Sequence, residues 1–339
     1  MDPLHATYLE RTPKVELHVH LEGAIRPQRL LSILHRHGER RTYRRPEDLA
    51  WLFEHASFDE FLEHFRFVVT HLRDAQDIHD IAVDLFAELR AQNVVYAEPL
   101  FSAAIFVQRG IPWDELLSAV CEAGPGYNIV VDLVRNFGAA FALQQVEALG
   151  RVAHPRVVGI HLGGDEVAFP ARAFATAFRV ADEAGLGRAA HAGEADGAAS
   201  VWDALEVLQV QRIGHGIRCV EDDAVVRALV ERGTTLEVCP TSNLRTRVVE
   251  DLASHPLPEL VARGIAVTLG ADDPSYFDTD LTREMQVAHE SLGCDLATLD
   301  AMTDQAVRAS FQPPAARAAL QAAVGTERDL LRGQLGVHD

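Results

Sequence analysis

The chain has 339 residues, 48% hydrophobic and 24% charged, which is enough apolar material for a packed core and far from the composition of a disordered chain. Its 31 basic and 50 acidic side chains leave a formal charge of −19, so it offers no cationic surface to a phosphate backbone and nucleic acid is excluded as the expected partner. Four scattered cysteines without CxxC spacing, an N-terminus without an apolar signal core and no apolar run of about 18 residues predict a cytoplasmic chain with reduced thiols and no membrane partner.

Along the chain, short runs rich in β-branched residues alternate with longer helical patterns, the mark of repeated βα units on a parallel sheet. The first run is VELHVH (15–20). The interval from residue 21 to 93 is too long for one crossover helix and predicts extra helices inserted after the first strand. Within it, RRTYRR (Arg40 to Arg45) reads as a solvated loop. The stretch SFDEFLEHFRFVVTHL reads as a helix, with Ser57 and Glu60 in a capping-box pattern and Phe58, Phe61, Leu62, Phe65, Val69 and Leu72 at helical spacing. Core packing is the ordinary role of such a stripe. Its place above the strand ends also suits an apolar wall or lid over a pocket, which makes Phe61, Leu62 and Phe65 candidate substrate contacts.

The remaining strand candidates are VVYAEP (94–99), NIVVDLVR (128–135), VVGIHL (157–162), GRAAHAG (187–193), RIGHG (212–216), TTLEVCP (234–240) and IAVTLGADD (265–273). The Ala-rich tail after Pro314 reads as a terminal helix. With the first run these make eight strands, the number that closes a barrel. The expected fold is α/β, a (β/α)8 TIM barrel forming a single domain over residues 1–339, with extra helices after the first strand.

In such a barrel, catalytic groups sit where strands end. His18 and His20 close the first strand, Gly164 follows the fourth, His191 and Glu194 close the fifth, His215 the sixth, and Asp272 with Asp273 the eighth. One residue separates His18 from His20, so on a strand both imidazoles project from the same face, as two ligands of one metal must. An HxH pair alone is weak evidence, since histidines are more often satisfied structurally. His191 and Asp272 would complete a site of three nitrogens and one oxygen with room for a water, which is a catalytic zinc pattern. The chain's single lysine, Lys14, precedes the first strand, which excludes a metal pair bridged by a carbamylated lysine. The H-x-E and P-C-x-x-C arrangement of other zinc deaminases is not suitably placed in this chain either.

The segments PKVELHVHLEGAIRP, HLGGDE, HAGE, RIGHG, CPTSN and GADDPSYF occur in the order and context seen in the adenosine deaminase family, and the chain resembles that family over roughly residues 10 to 310. The resemblance implies one Zn²⁺ per chain bound by His18, His20, His191 and Asp272, with His20 also beside the substrate. It implies that Glu194 protonates ring nitrogen N1, and that His215 and Asp272 hold and help deprotonate the attacking water. Asp273 would meet N7 and the Gly164 backbone N–H would meet N3. These roles agree with the chemistry: bound zinc lowers the pKa of water to about 7, and attack at C6 requires a proton delivered to N1.

Two positions depart from the family pattern. Adenosine-acting members usually carry Asp where this chain has Glu22, an Asp held to bind the ribose 5′ hydroxyl, whereas the adenine-acting branch usually has Glu. GGDE and RIGHG side with the nucleoside branch. His161 stands where many members have Asp. The expected activity is zinc-dependent hydrolytic deamination of adenosine or a closely related 6-aminopurine nucleoside, giving an inosine-type product and ammonia. The alternatives are adenine and a 5′-modified adenosine such as 6-amino-6-deoxyfutalosine. Two further classes differ in their needs: a non-catalytic metal- or nucleoside-binding barrel should lack the proton donor Glu194, and a cyclic amide or ester hydrolase needs no acid at a ring nitrogen. The expected partner is a small purine nucleoside or base.

Overall fold

The computed structural model describes residues 1–54, 58–124 and 126–337, residues 58 and 59 by their backbone only. The expected helix cap Ser57 lies outside the described residues. The strands are β1 (Lys14–Glu16), β2 (Val94–Ala97), β3 (Leu100–Phe101), β4 (Ile129–Asp132), β5 (Val157–His161), β6 (Gly187–Ala192), β7 (Arg212–His215), β8 (Thr235–Val238) and β9 (Ala266–Leu269). All pairings are parallel; β1 pairs with β2, and β3 to β9 pair in chain order.

Two bridges close the ring. Val19 pairs with Asp272 and His20 with Leu100. Asp272 N–H donates to His18 O, and His20 N–H donates back to Asp272 O, both at 2.8 Å. β1 and its continuation through His20 therefore form the first barrel strand. β2 and β3 form the second, interrupted at Pro99, which has no N–H to give a ladder. The eight expected strands are thus all present in a TIM barrel.

Regular pairing ends sooner than the apolar runs suggest, at Asp132, Val238 and Leu269. Residues at and beyond the strand ends leave the extended conformation: Val134 has φ +45°, His215, the last residue of β7, +60° and Asp272 +58°. Non-glycine residues rarely adopt such angles, and here they turn strand-end side chains toward the mouth of the barrel.

β4, β6, β7 and β8 are buried along their whole length, as expected for strands covered by helices outside and packed side chains inside. At their N-terminal ends the Phe311 ring lies so close to Gly187 that a Cβ there would sit 2.2 Å from Phe311 Cγ. The Arg212 guanidinium stacks 3.7 Å from the same ring and reaches Glu237 Oε1 with Nε at 2.6 Å. The lower barrel is therefore filled, and its upper end is left for chemistry.

The helices expected after the first strand are Pro27–Arg36, Phe58–His71 and Ala75–Ala91. The terminal helix is Pro314–Leu335, and Arg40, Arg41, Arg44 and Arg45 are exposed in a loop, as expected. The helix Pro3–Arg11, capped by Asp2, has no counterpart in the sequence reading. Its Tyr8 hydroxyl donates to Asp300 Oδ1 at 2.8 Å, a partner 292 residues away. Among the described residues, no helix is long and apolar enough to cross a membrane.

Candidate active site

His18, His20, His191 and Asp272 come from three barrel strands, and their ligand atoms all lie within 4.8 Å of one another. All four are buried. Glu237 Oε2, 2.9 Å from His18 Nδ1, accepts its proton and leaves Nε2 turned inward, buried and without a hydrogen-bond partner. A buried nitrogen lone pair without a donor fits a cation. Asp272 Oδ1 lies 3.5 Å from His18 Nε2 and 3.4 Å from His20 Nε2. Burial opposes charge on His18, yet Asp272 and Glu237 outweigh it and push its pKa up to about 10, so a positive charge at this point is strongly favoured. Burial lowers His20 to about 4, and it holds His191 well below the ordinary imidazole value together with its histidine neighbours. The residues present fit one divalent ion with nitrogen-rich coordination. Lys14 is remote from them, its Nζ donating to Thr12 O and Gln92 O at the base of the barrel.

Behind His191 stands His161, with Nε2 3.0 Å from His191 Nδ1. Asp132 Oδ1 is 3.3 Å from His161 Nδ1 and accepts the Gly163 N–H at 2.7 Å. Burial alone would raise Asp132, but His161 and His20 hold it down to about 2, so it is a permanent carboxylate.

Glu194 follows β6 on a loop clamped by Glu166, whose carboxylate accepts the N–H groups of Gly193, Glu194, Ala195 and Asp196 at 2.6 to 3.2 Å. Burial, then Asp272 and Glu166, raise the Glu194 carboxyl well above the ordinary range, so it retains its proton near neutrality. His215 Nε2 is buried, lacks a hydrogen-bond partner, and lies 3.5 Å from Glu194 Oε2 and 3.8 Å from Asp272 Oδ2. Burial lowers His215 to about 3. Asp273 is likewise raised, by burial and then by Asp272. Its Oδ1 has no partner and lies over Gly23, where a Cβ would come within 1.8 Å of it.

Over these groups opens a cavity of about 450 Å³, within the usual size for a small-molecule site. His20, His191, Glu194, Asp272, Asp273 and Gly164 line it, and Phe61, Leu62 and Phe65 form part of its wall, where the stripe on their helix anticipated it. Glu22 does not line it. Expected beside the sugar, Glu22 is fully buried, and its Oε1 accepts the N–H of Ser102, which does face the cavity, at 3.0 Å.

Sequence reasoning missed Glu166, Glu237, Asp132 and Asn243. Each had a signal: Glu166 ends GGDE, Asn243 ends CPTSN, and Glu237 and Asp132 are lone acids inside apolar strand runs, where an unpaired charge is too costly to stand. Arg66, one helical turn beyond Leu62, also lines the cavity and was not singled out.

A family model described as adenosine deaminase matches residues 13–327. The aminodeoxyfutalosine deaminase of Acidothermus cellulolyticus is 40% identical over 303 residues, covering 85% of this chain and 85% of that protein. A crystal structure of adenine deaminase from Arthrobacter aurescens superposes with a TM-score of 0.87 at 32% identity, covering 93% of this chain and 98% of that one. An amidohydrolase from Burkholderia ambifaria, with bound zinc, shares the fold at a TM-score of 0.89 and 24% identity, covering 99% and 96%.

Proposed function

The chain belongs to the adenosine deaminase family, and we propose that it hydrolyses the 6-amino group from a purine nucleoside with one zinc ion held by His18, His20, His191 and Asp272. The observation that carries this reading is the convergence of two buried carboxyls on one cavity floor, Glu194 pushed well above the ordinary carboxylate range by burial and by Asp272, and Asp272 held below it. Burial would raise Asp272, but His18, His215 and His20 keep it far below the carboxylate range. Two carboxyls pushed apart in this way divide the roles of acid and base.

Zinc, when bound, lowers the pKa of a water to about 7. The attacking water loses one proton to Asp272 Oδ2 as its oxygen bonds to C6. The C6–N1 π pair moves to N1, which takes the proton of Glu194. The amino group then takes the proton held by Asp272 and leaves as ammonia, while the new hydroxyl returns its proton to Glu194. The product is a 6-oxopurine and both carboxyls are reset. Asp273, protonated, is suited to donate to N7, and the Gly164 N–H to N3.

For the substrate, withdrawal of Glu22 from the cavity leaves the region beyond the base open to a sugar, which supports a nucleoside over free adenine. A second reading is a nucleoside extended at the 5′ position by an apolar group ending in an anion. It is favoured by the outer wall of Phe61, Leu62, Phe65, Val69 and Ile105, and by Arg66, the one Arg or Lys among the described lining residues. The 40% identical relative named for aminodeoxyfutalosine supports the same reading.

Ammonia release measured with adenine, adenosine, 2′-deoxyadenosine, AMP and a 5′-carboxyaryl adenosine decides between these. An adenine preference above about tenfold would overturn the nucleoside assignment. Zinc content without ammonia from any 6-aminopurine would favour a binding barrel. If the 5′-extended anion is preferred, Arg66→Gln should lower kcat/KM for it about fivefold, the scale of an exposed charge pair, and leave adenosine unchanged.

A further inference from the structure

The hydrogen bonds behind His215 run in a single direction, and a backbone amide sets that direction. Leu257 N–H donates to His255 Nδ1 at 3.1 Å. An amide N–H cannot accept, so His255 Nδ1 bears no proton and Nε2 carries it. That Nε2 lies 3.2 Å from Asn243 Oδ1. The reverse orientation of the Asn243 amide would set N–H against N–H. Asn243 therefore turns Nδ2 toward His215, donating to its Nδ1 at 3.1 Å. Accepting at Nδ1, the His215 ring must hold its proton on Nε2; a doubly protonated ring is excluded by the same contact, since two donors would meet there. Asn243 and His215 are fully buried and His255 is 3% exposed, so bulk water is not at hand to substitute for any link.

We infer that His255 and Asn243 are positioning residues that lock His215 as a hydrogen-bond donor through Nε2–H. The inference rests on the deaminase reading above. His215 then holds the oxygen of the attacking water and aims a lone pair at C6, but does not take the water's proton. As the C6–O bond forms, that proton passes to Asp272 Oδ2 alone, the C6–N1 π pair moves to N1, and Glu194 delivers the proton there. The sharing of deprotonation between His215 and Asp272, expected from the family resemblance, is thereby resolved in favour of Asp272. The device belongs to residues on three separate segments: the end of β7, the helix Pro240–Arg245 and the turn at His255.

The test is a long-range ¹H–¹⁵N spectrum of the zinc-loaded protein labelled at histidine nitrogens. His215 should appear with Nδ1 bare and Nε2 protonated. In Asn243→Asp the carboxylate can only accept, so the proton should move to Nδ1. There kcat should fall on the order of 10²-fold or more, with zinc content unchanged and KM within about twofold; a wrong imidazole tautomer in a serine protease costs about 10⁴. His255→Phe should give a mixture of tautomers, and His255→Gln, which restores an N–H donor to Asn243, should recover the wild-type pattern. A protonated Nδ1 in the wild type overturns the inference even if no variant folds, as does undiminished kcat in an inverted Asn243→Asp. A wild-type spectrum as expected, without turnover of any 6-aminopurine, overturns the deaminase reading and leaves the lock supported.

Discussion

His161 Nε2 lies 3.0 Å from Nδ1 of His191, and this contact sets which nitrogen of His191 faces the cavity. Asp132, an ionised carboxylate, can only accept, so His161 carries its proton on Nδ1 and uses Nε2 to accept the Nδ1–H of His191. Nε2 of His191 is left bare for a metal. Where many family members have a carboxylate, this chain has an imidazole with a carboxylate one step further back.

From that arrangement His161→Ala should weaken zinc retention about 10- to 100-fold, the usual cost of losing a group that orients a metal-bound imidazole. Competition with a chromogenic chelator measures this without any assay of turnover. His161→Asp should recover a large part, because a carboxylate can accept the same proton. Unaltered zinc affinity in His161→Ala would show that His191 is oriented by something else.

One zinc per chain is the expected content, and dialysis against a chelator should abolish deamination and zinc should restore it. His20→Ala should lose both metal and activity. Two stoichiometric metals at the site, or full activity in His20→Ala, would refute the assignment of His18, His20, His191 and Asp272 as the ligand set.

Replacing Glu194 by Gln leaves the Glu166 clamp on its backbone intact, so the variant should fold, keep zinc and still bind a purine. Deamination should slow by at least about 10²-fold, the low end for loss of a general acid or base, since an amide delivers no proton to N1. Near-normal turnover with metal content verified would mean that N1 is protonated elsewhere.

Gly23→Ala should act on Asp273, because the added Cβ would meet Oδ1 at 1.8 Å and Cγ at 2.6 Å. The expected result is a raised KM for nucleosides with zinc retained, as the carboxyl is displaced from the cavity floor. A KM within about twofold of wild type would show that Asp273 does not position the ring.

Shortening Glu22 to Asp should change the ratio of kcat/KM for adenosine and adenine by less than about threefold, because its carboxylate is bonded to Ser102 N–H behind the cavity surface. The cost should appear instead in the melting temperature, through a lost buried hydrogen bond of about 1 to 3 kcal/mol. A tenfold change in the ratio would show that Glu22 reads the sugar directly.

The barrel and the cluster proposed to hold a metal were legible in the residue order because they obey local rules. Alternating βα periodicity closes a parallel barrel, and a parallel barrel gathers its strand ends at one face, so HVH, HAGE and GADD had to converge once the fold was known. The partners of those residues follow no such rule. Glu237 reaches His18 across 219 positions, Asp132 reaches His161 across 29, and Asn243 joins His215 to His255 across 28 and 12. A lone acid in an apolar strand announces that it needs a partner, but which partner depends on barrel register and on the turns at Val134, His215 and Asp272. The same holds for Glu22, whose identity suggested a sugar contact until packing against Ser102 withdrew it. Residue type and spacing determined which groups could do chemistry; tertiary structure decided their tautomers, their charge states and which of them face the substrate, because each is set by desolvation and by hydrogen bonds between segments distant in the chain.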